Sequence, residues 1–191
     1  LAARCAGVSA EISLIVKRVA AGMEQHQDSF SDLEEIGIGT KFREELCRML
    51  ESTQLFRGFS RAEIEFFVDY THAYRAPVGV TLFREGSKDK YLAFIVKGKV
   101  KILKEFGFSK EKHIATARPG SCLGEISIVD DFPHSATAKV VEQAEVIILT
   151  KRNLLRITEE SAALGIQILW RLAWQLSARL RKTSGALAEH L

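Results

Sequence analysis

Three rhythms of apolar and polar positions succeed one another along the chain. Between residues 12 and 19, Ile12, Ile15, Val16 and Val19 recur at helical spacing, which gathers them on one face. A polar stretch over residues 25–32 interrupts the pattern, and Gly37 and Gly39 loosen the chain behind it. This predicts an N-terminal helical arm over residues 1–39 that packs on the core or on a partner. Thr40 is placed to cap a helix running to about Glu51, with Phe42, Leu46, Met49 and Leu50 along one side. Ser60-Arg61-Ala62-Glu63 has the form of a capping box that opens a second, short helix carrying Ile64, Phe66 and Phe67.

From Tyr70 to Thr150 the period shortens to that of strands. β-rich runs over residues 80–83, 91–96, 100–103, 113–117, 136–141 and 146–149 are separated by turn residues. Lys97-Gly98 reads as the hairpin turn between two of them, and Gly79, Gly86, Gly107, Gly120 and Gly124 mark other tight places. Many short strands at this spacing predict a mainly β domain over residues 40–160. Its expected form is an antiparallel β-roll of the jelly-roll or double-stranded β-helix type, flanked by helices.

Helical spacing returns after Lys151, with Ser161 a candidate start for a long last helix over residues 161–191. Leu169, Ala173, Leu176, Leu180, Thr183 and Leu187 alternate steps of four and three. That is a heptad seam, suited to pairing two copies in a coiled coil. Trp170 and Trp174 lie beside it, so one stripe can face the roll and another a second chain. The alternative is a lone helix packed on the roll.

Composition narrows the function without naming it. The 191 residues are 47% hydrophobic and 27% charged, with a net charge of +3. This is ordinary for a globular protein and too small a charge to argue for nucleic acid. No apolar run approaches a membrane span. The first residues lack a signal-peptide pattern and an initiator Met, which fits a piece of a longer protein. Cys5, Cys47 and Cys122 are far apart and in no paired spacing, and the five histidines are scattered singly. Neither a disulfide framework nor a metal site is expected, and a reducing cytoplasm is.

The chemistry concentrates in Pro119-Gly120-Ser121-Cys122-Leu123-Gly124-Glu125-Ile126-Ser127-Ile128 and Phe132-Pro133-His134-Ser135-Ala136-Thr137-Ala138. A glycine turn followed by a short helix starting near Glu125 presents free N–H groups that attract a phosphate. A carboxylate at Glu125 only accepts hydrogen bonds, so its natural ligand partner is a hydroxyl pair such as a ribose. Glu125 and His134 could be drawn as an acid–base pair. No nucleophile, metal or orienting third group accompanies them in the sequence, and a non-catalytic site is expected.

These segments resemble the phosphate-binding cassette of the cyclic-nucleotide-binding domain family, whose pattern is Gly-Glu, a short helix, then Pro-Arg-Ser/Ala-Ala-Thr. Gly124, Glu125, Pro133, Ser135, Ala136 and Thr137 match it. The flanks Phe83-Arg84-Glu85-Gly86, Ile95-Val96-Lys97-Gly98-Lys99-Val100 and Leu55-Phe56-Arg57-Gly58-Phe59-Ser60 are also similar. The likeness covers about residues 44–184. It implies a ligand held by Gly124, Glu125, Ile126, Ser127, His134, Ser135 and Ala136. The last helix also resembles the central helix of the catabolite activator protein, where a Thr-Ser pair, matched here by Thr183 and Ser184, reaches adenine. The implied ligand is therefore cyclic AMP in preference to cyclic GMP, in a homodimer, with an effector that the chain does not name. Four residues follow Leu187, too few for that family's helix-turn-helix, and the basic Arg171, Arg179, Arg181 and Lys182 read as a solvated face. No nucleic acid and no membrane is expected to bind this chain.

One position departs from the pattern. The arginine that the family sets on the cyclic phosphate falls on His134. Exchanging a forked, permanent cation for a ring that is neutral above about pH 6.5 weakens such a contact about ten- to a hundredfold. Two alternatives therefore stay open beside the sensor. One is a ligand-free pairing scaffold; the other is a pocket retuned for another anion, such as a cyclic dinucleotide.

Overall fold

The computed structural model describes residues 30, 32–36, 40–107 and 110–188. In chain order the elements are β1 (Glu34–Glu35), α1 (Thr40–Ser52), α2 (Arg61–Val68), β2 (His72–Ala76), β3 (Thr81–Phe83), β4 (Tyr91–Phe106), β5 (Lys110–Ala117), β6 (Cys122–Leu123), α3 (Glu125–Val129), β7 (Thr137–Thr150), α4 (Lys151–Glu160) and α5 (Ala162–Ala188). The strands form one sheet in the order β1-β2-β7-β4-β5, with β3 on β7 and β6 on β4, and every pairing is antiparallel. This is the expected β-roll with flanking helices and a long C-terminal helix. The expected helical arm lies mostly outside the described residues, and in its described part Glu34–Glu35 is a strand on β2.

The roll exists because β4 and β7 are apolar on both faces. In β4, Leu92, Phe94 and Val96 face the helices, while Tyr91, Ala93 and Ile95 face the interior of the roll. In β7, Ile147 and Leu149 share the helix side with them, and Val146 and Ile148 the inner side. Alternate side chains of a strand point to opposite faces. An unbroken apolar run is therefore what a strand buried on both sides requires. Phe56, Phe67 and Phe94 pack edge to face or tilted within the helix-side cluster, a geometry aromatic rings favour.

Two expected boundaries move. Lys97-Gly98 is no hairpin turn: β4 runs through it, and the expected runs at 136–141 and 146–149 are likewise parts of the single strand β7. The register shifts on both sides of Lys97 instead, as at a β-bulge. Gly98 has φ 81°, and a Cβ there would lie 2.2 Å from the Gln143 carbonyl oxygen. The glycine thus permits a close backbone crossing, which in sequence looks like a turn. The polar residues of β7 opposite it are exposed, and their polarity had the same appearance.

The helices behave as their sequences predict. Ser60 Oγ accepts from Glu63 N while Ser60 N donates to the Glu63 carboxylate, completing the capping box of α2. Ser161, with φ −142° and ψ 87°, breaks the helix between α4 and α5. Past that corner a Cβ on Gly165 would stand 2.6 Å from Thr158 Oγ1, so the missing side chain lets the two helices pack closely. Leu164, Ile168 and Leu172 bury one stripe of α5 against the core, each contributing about 1.5–3 kcal/mol. The other stripe stays uncovered, with Trp170 76% and Leu180 68% exposed. Among the described residues no helix is long and apolar enough to cross a membrane.

Candidate functional site

The cassette is built outward from β4. Gly120 N donates to Ile95 O and Ile95 N donates to Ser121 O, both at 2.9 Å, so the loop before β6 is stitched to the central strand. The chain then reaches Gly124, whose φ of 86° and ψ of 3° lie in the left-handed region. A Cβ there would fall 2.2 Å from Tyr91 O. Glycine is required twice over, by conformation and by space. Directly behind it α3 opens, a single short helix with Glu125, Ser127 and Ile128 buried and Ile126 half-buried. The Ser127 hydroxyl donates to Gly124 O at 2.9 Å and so braces the turn from within.

Glu125 is only 2% exposed. Its Oε1 accepts a hydrogen bond from Nη1 of Arg179, which projects from α5. Burial pushes the carboxyl pKa up, and the guanidinium pulls against that shift. A buried carboxylate without such a partner would be strongly disfavoured in its charged form. Arg179 is thus half exposed yet tied to a buried carboxylate, a contact that the reading of a solvated face leaves out. The clue available in the sequence was its place on the stripe that Leu164, Ile168 and Leu172 bury.

The second half of the cassette is clamped just as firmly. Lys151 Nζ lies 2.8 Å and Lys90 Nζ 3.7 Å from Asp131 Oδ1, and Lys90 also donates to Phe132 O. These ties hold Asp131 at φ 63°, a left-handed conformation that Asp tolerates better than most residues. His134 N donates to Ser87 O, and His134 O accepts from Gly86 N, both at 2.9 Å. The imidazole is 3% exposed and stacks on Phe83, with ring centroids 4.0 Å apart and planes 9° from parallel. Tyr91 meets it edge-on at 5.8 Å. Burial depresses the His134 pKa to about 4, so the ring is uncharged near neutrality. Its Nε2 is buried with no hydrogen-bond partner.

Beyond it, Ser135 is exposed and its carbonyl accepts from Lys104 Nζ at 2.8 Å. The same ammonium pairs with Glu85, and Ala136 is buried just ahead of β7. The structure therefore gathers Gly124, Glu125, Ile126, Ser127, His134, Ser135 and Ala136 around one turn and one loop. Thr183 and Ser184 are exposed on α5 one turn past Arg179, and Thr183 Oγ1 bonds to Arg179 O at 3.0 Å. In the single chain the last helix meets the cassette through Arg179. Sequence reasoning missed Arg179, Lys104 and the Lys90–Asp131–Lys151 clamp, all contacts between distant segments. Among the described residues no three His, Cys, Asp or Glu side chains are grouped to hold a metal. A separate cavity of about 190 Å³, lined by Met49, Leu50, Phe94 and Gly120 among others, lies beside α1.

Comparison with known proteins gives a consistent result. Residues 75–161 match the family described as cyclic nucleotide-binding domain. The cyclic AMP receptor protein of Thermus thermophilus is 26% identical over 133 residues, which is 70% of this chain and 60% of that protein. The CRP-like cAMP-activated global transcriptional regulator of Mycobacterium tuberculosis is 26% identical over 141 residues, or 74% of this chain and 61% of that protein. The chain thus spans about three fifths of the length of these curated relatives. Among solved structures, a cyclic nucleotide-binding domain from Methylobacillus flagellatus superposes with a TM-score of 0.76 at 26% identity, covering 88% of this chain and 97% of that one.

Proposed function

The chain carries a domain of the cyclic nucleotide-binding family, and on that premise we propose that it is a non-catalytic sensor whose bound ligand changes the hold on α5. The ligand occupies the cassette at residues 124–127 and 134–136, with ribose hydroxyls on Glu125. Cyclic AMP is the first candidate, by the resemblance of the cassette and of Thr183 and Ser184, and a partner's helix supplies part of the adenine contact. Two copies pair through the uncovered stripe of α5, and the signal passes in the cytoplasm to an effector domain or partner protein.

One observation carries this reading: Arg179 of α5 bonds to Glu125, the carboxylate that a ribose would use. Ligand hydroxyls and the helix address the same carboxylate. Ligand therefore has different affinities for two positions of α5, which is the thermodynamic requirement for a switch. Calorimetry with cyclic AMP and cyclic GMP, paired with hydrogen exchange along residues 162–188, tests it. Binding heat together with altered protection near Arg179 is expected. Absence of heat at millimolar ligand, with unchanged protection, would leave only a pairing scaffold. That second reading draws support from the uncharged His134, and from Glu125 already having a cation.

A further inference from the structure

His134 places an unusual demand on anything that reaches the inner end of the cassette. The hydrogen bond between its ring and the Asp89 backbone favours the protonated ring, so the backbone group accepts and a ring nitrogen donates. Nε2 has no partner, which makes Nδ1 the donor. In the neutral imidazole the other nitrogen is then a bare lone pair. Turning the ring over would keep its stack on Phe83 but give up the Asp89 bond. The ring borders the cassette turn, its Cε1, which is bonded to both nitrogens, 3.5 Å from where a Cβ on Gly124 would sit.

The surroundings supply little free positive charge. Lys90 and Lys151 are paired with Asp131, Lys104 with Glu85 and Arg179 with Glu125. Arg84 and Lys88 are exposed on the neighbouring turn. A buried acceptor left unmatched is costly, and an oxyanion brought against a lone pair adds repulsion.

We infer that the inner end of the cassette selects an uncharged ligand that donates a hydrogen bond, a hydroxyl or an amine, to His134 Nε2, and disfavours a phosphate oxyanion there. The inference rests on the cassette being a ligand site, as proposed above, and within that reading it ranks an uncharged nucleoside above the cyclic AMP to which the family resemblance points.

Adenosine and cyclic AMP share base and ribose but differ in charge and in hydroxyl donors, so they serve as probes. Calorimetry is run with the unmodified chain, with His134→Arg and with His134→Phe, after circular dichroism shows each variant folded. The unmodified chain is expected to bind adenosine at least about tenfold more tightly than cyclic AMP. His134→Arg is expected to reverse that order by restoring a forked cation. His134→Phe, which keeps a ring on Phe83 but has no lone pair, should weaken adenosine about tenfold. A preference of the unmodified chain for cyclic AMP would overturn the inference and leave the sensor reading standing. Adenosine affinity unchanged in His134→Phe would also overturn it, because the donor would then lie elsewhere. If a folded chain binds neither probe, the ligand-site reading fails and this inference with it.

Discussion

Arg179 on α5 donates a hydrogen bond to Glu125 at the first position of α3, across 54 positions of sequence. The carboxylate is almost wholly buried, while the guanidinium is 53% exposed. One end of the pair is therefore screened by water and the other is not. Removing the cation strands a buried charge, a loss larger than that of a surface pair and smaller than that of a fully buried one. Arg179→Ala is expected to cost about 1–3 kcal/mol. It should also speed hydrogen exchange in the second half of α5, beyond the buried Leu172. Equal exchange in both proteins would show that packing alone holds this part of the helix.

The buried imidazole of His134 couples stability to pH. Its pKa is about 4 in the fold and about 6.5 when unfolded. Between these values the unfolded chain binds more protons. The contribution is therefore complete above about pH 6.5 and is lost as pH falls toward 4. At about 1.4 kcal/mol per unit, the total is on the order of 3 kcal/mol. Glu85, whose pKa is lowered by the Glu105 amide and then by Lys104, and Asp131, whose pKa is lowered by Lys151 and Lys90, add their own acid sensitivity. Urea unfolding of the unmodified chain and of His134→Phe at pH 7, 6 and 5 isolates the histidine. The variant should lose less stability over that range, and parallel curves would mean that His134 titrates normally.

Gly124 and Gly120 have nearly the same backbone angle and different surroundings. A Cβ at Gly124 would lie 2.2 Å from Tyr91 O, whereas one at Gly120 meets nothing within 4 Å. Gly124→Ala should cost at least about 2 kcal/mol, from the left-handed backbone and the clash together. Gly120→Ala should cost about 1 kcal/mol, from the backbone alone. Chemical denaturation of the two variants compares them directly, and equal losses would show that the close approach at Gly124 relaxes.

The uncovered stripe of α5 predicts self-association. Leu169, Leu180 and Leu187 are exposed, in the heptad register that a second copy would bury. Light scattering should find dimers of the unmodified chain and monomers of a Leu176→Glu, Leu180→Glu double variant. Dimers that survive the two charges would place the interface elsewhere.

Much of the cassette was legible because its parts are local. Gly124, Glu125 and the short helix behind them follow one another in the chain, as do the four residues of the α2 capping box. Both depend on interactions within a few residues, so residue type and spacing suffice to find them. Gly98 was legible as a glycine with a special duty but misplaced as a hairpin. Its reason lies in Gln143 on another strand. His134 stood out as the departure from the cassette pattern, yet nothing near it in sequence foretold its stack on Phe83.

The sequence alone determined the β-rich runs, the helix starts and the order of the cassette, since periodicity and local hydrogen bonding decide those. Only the tertiary structure decided that Arg179 answers Glu125, that paired carboxylates occupy the nearby lysines, and that His134 is buried and uncharged. Charge, burial and hydrogen-bond partnership depend on which distant segments fold together, and that information has no local spelling in the chain.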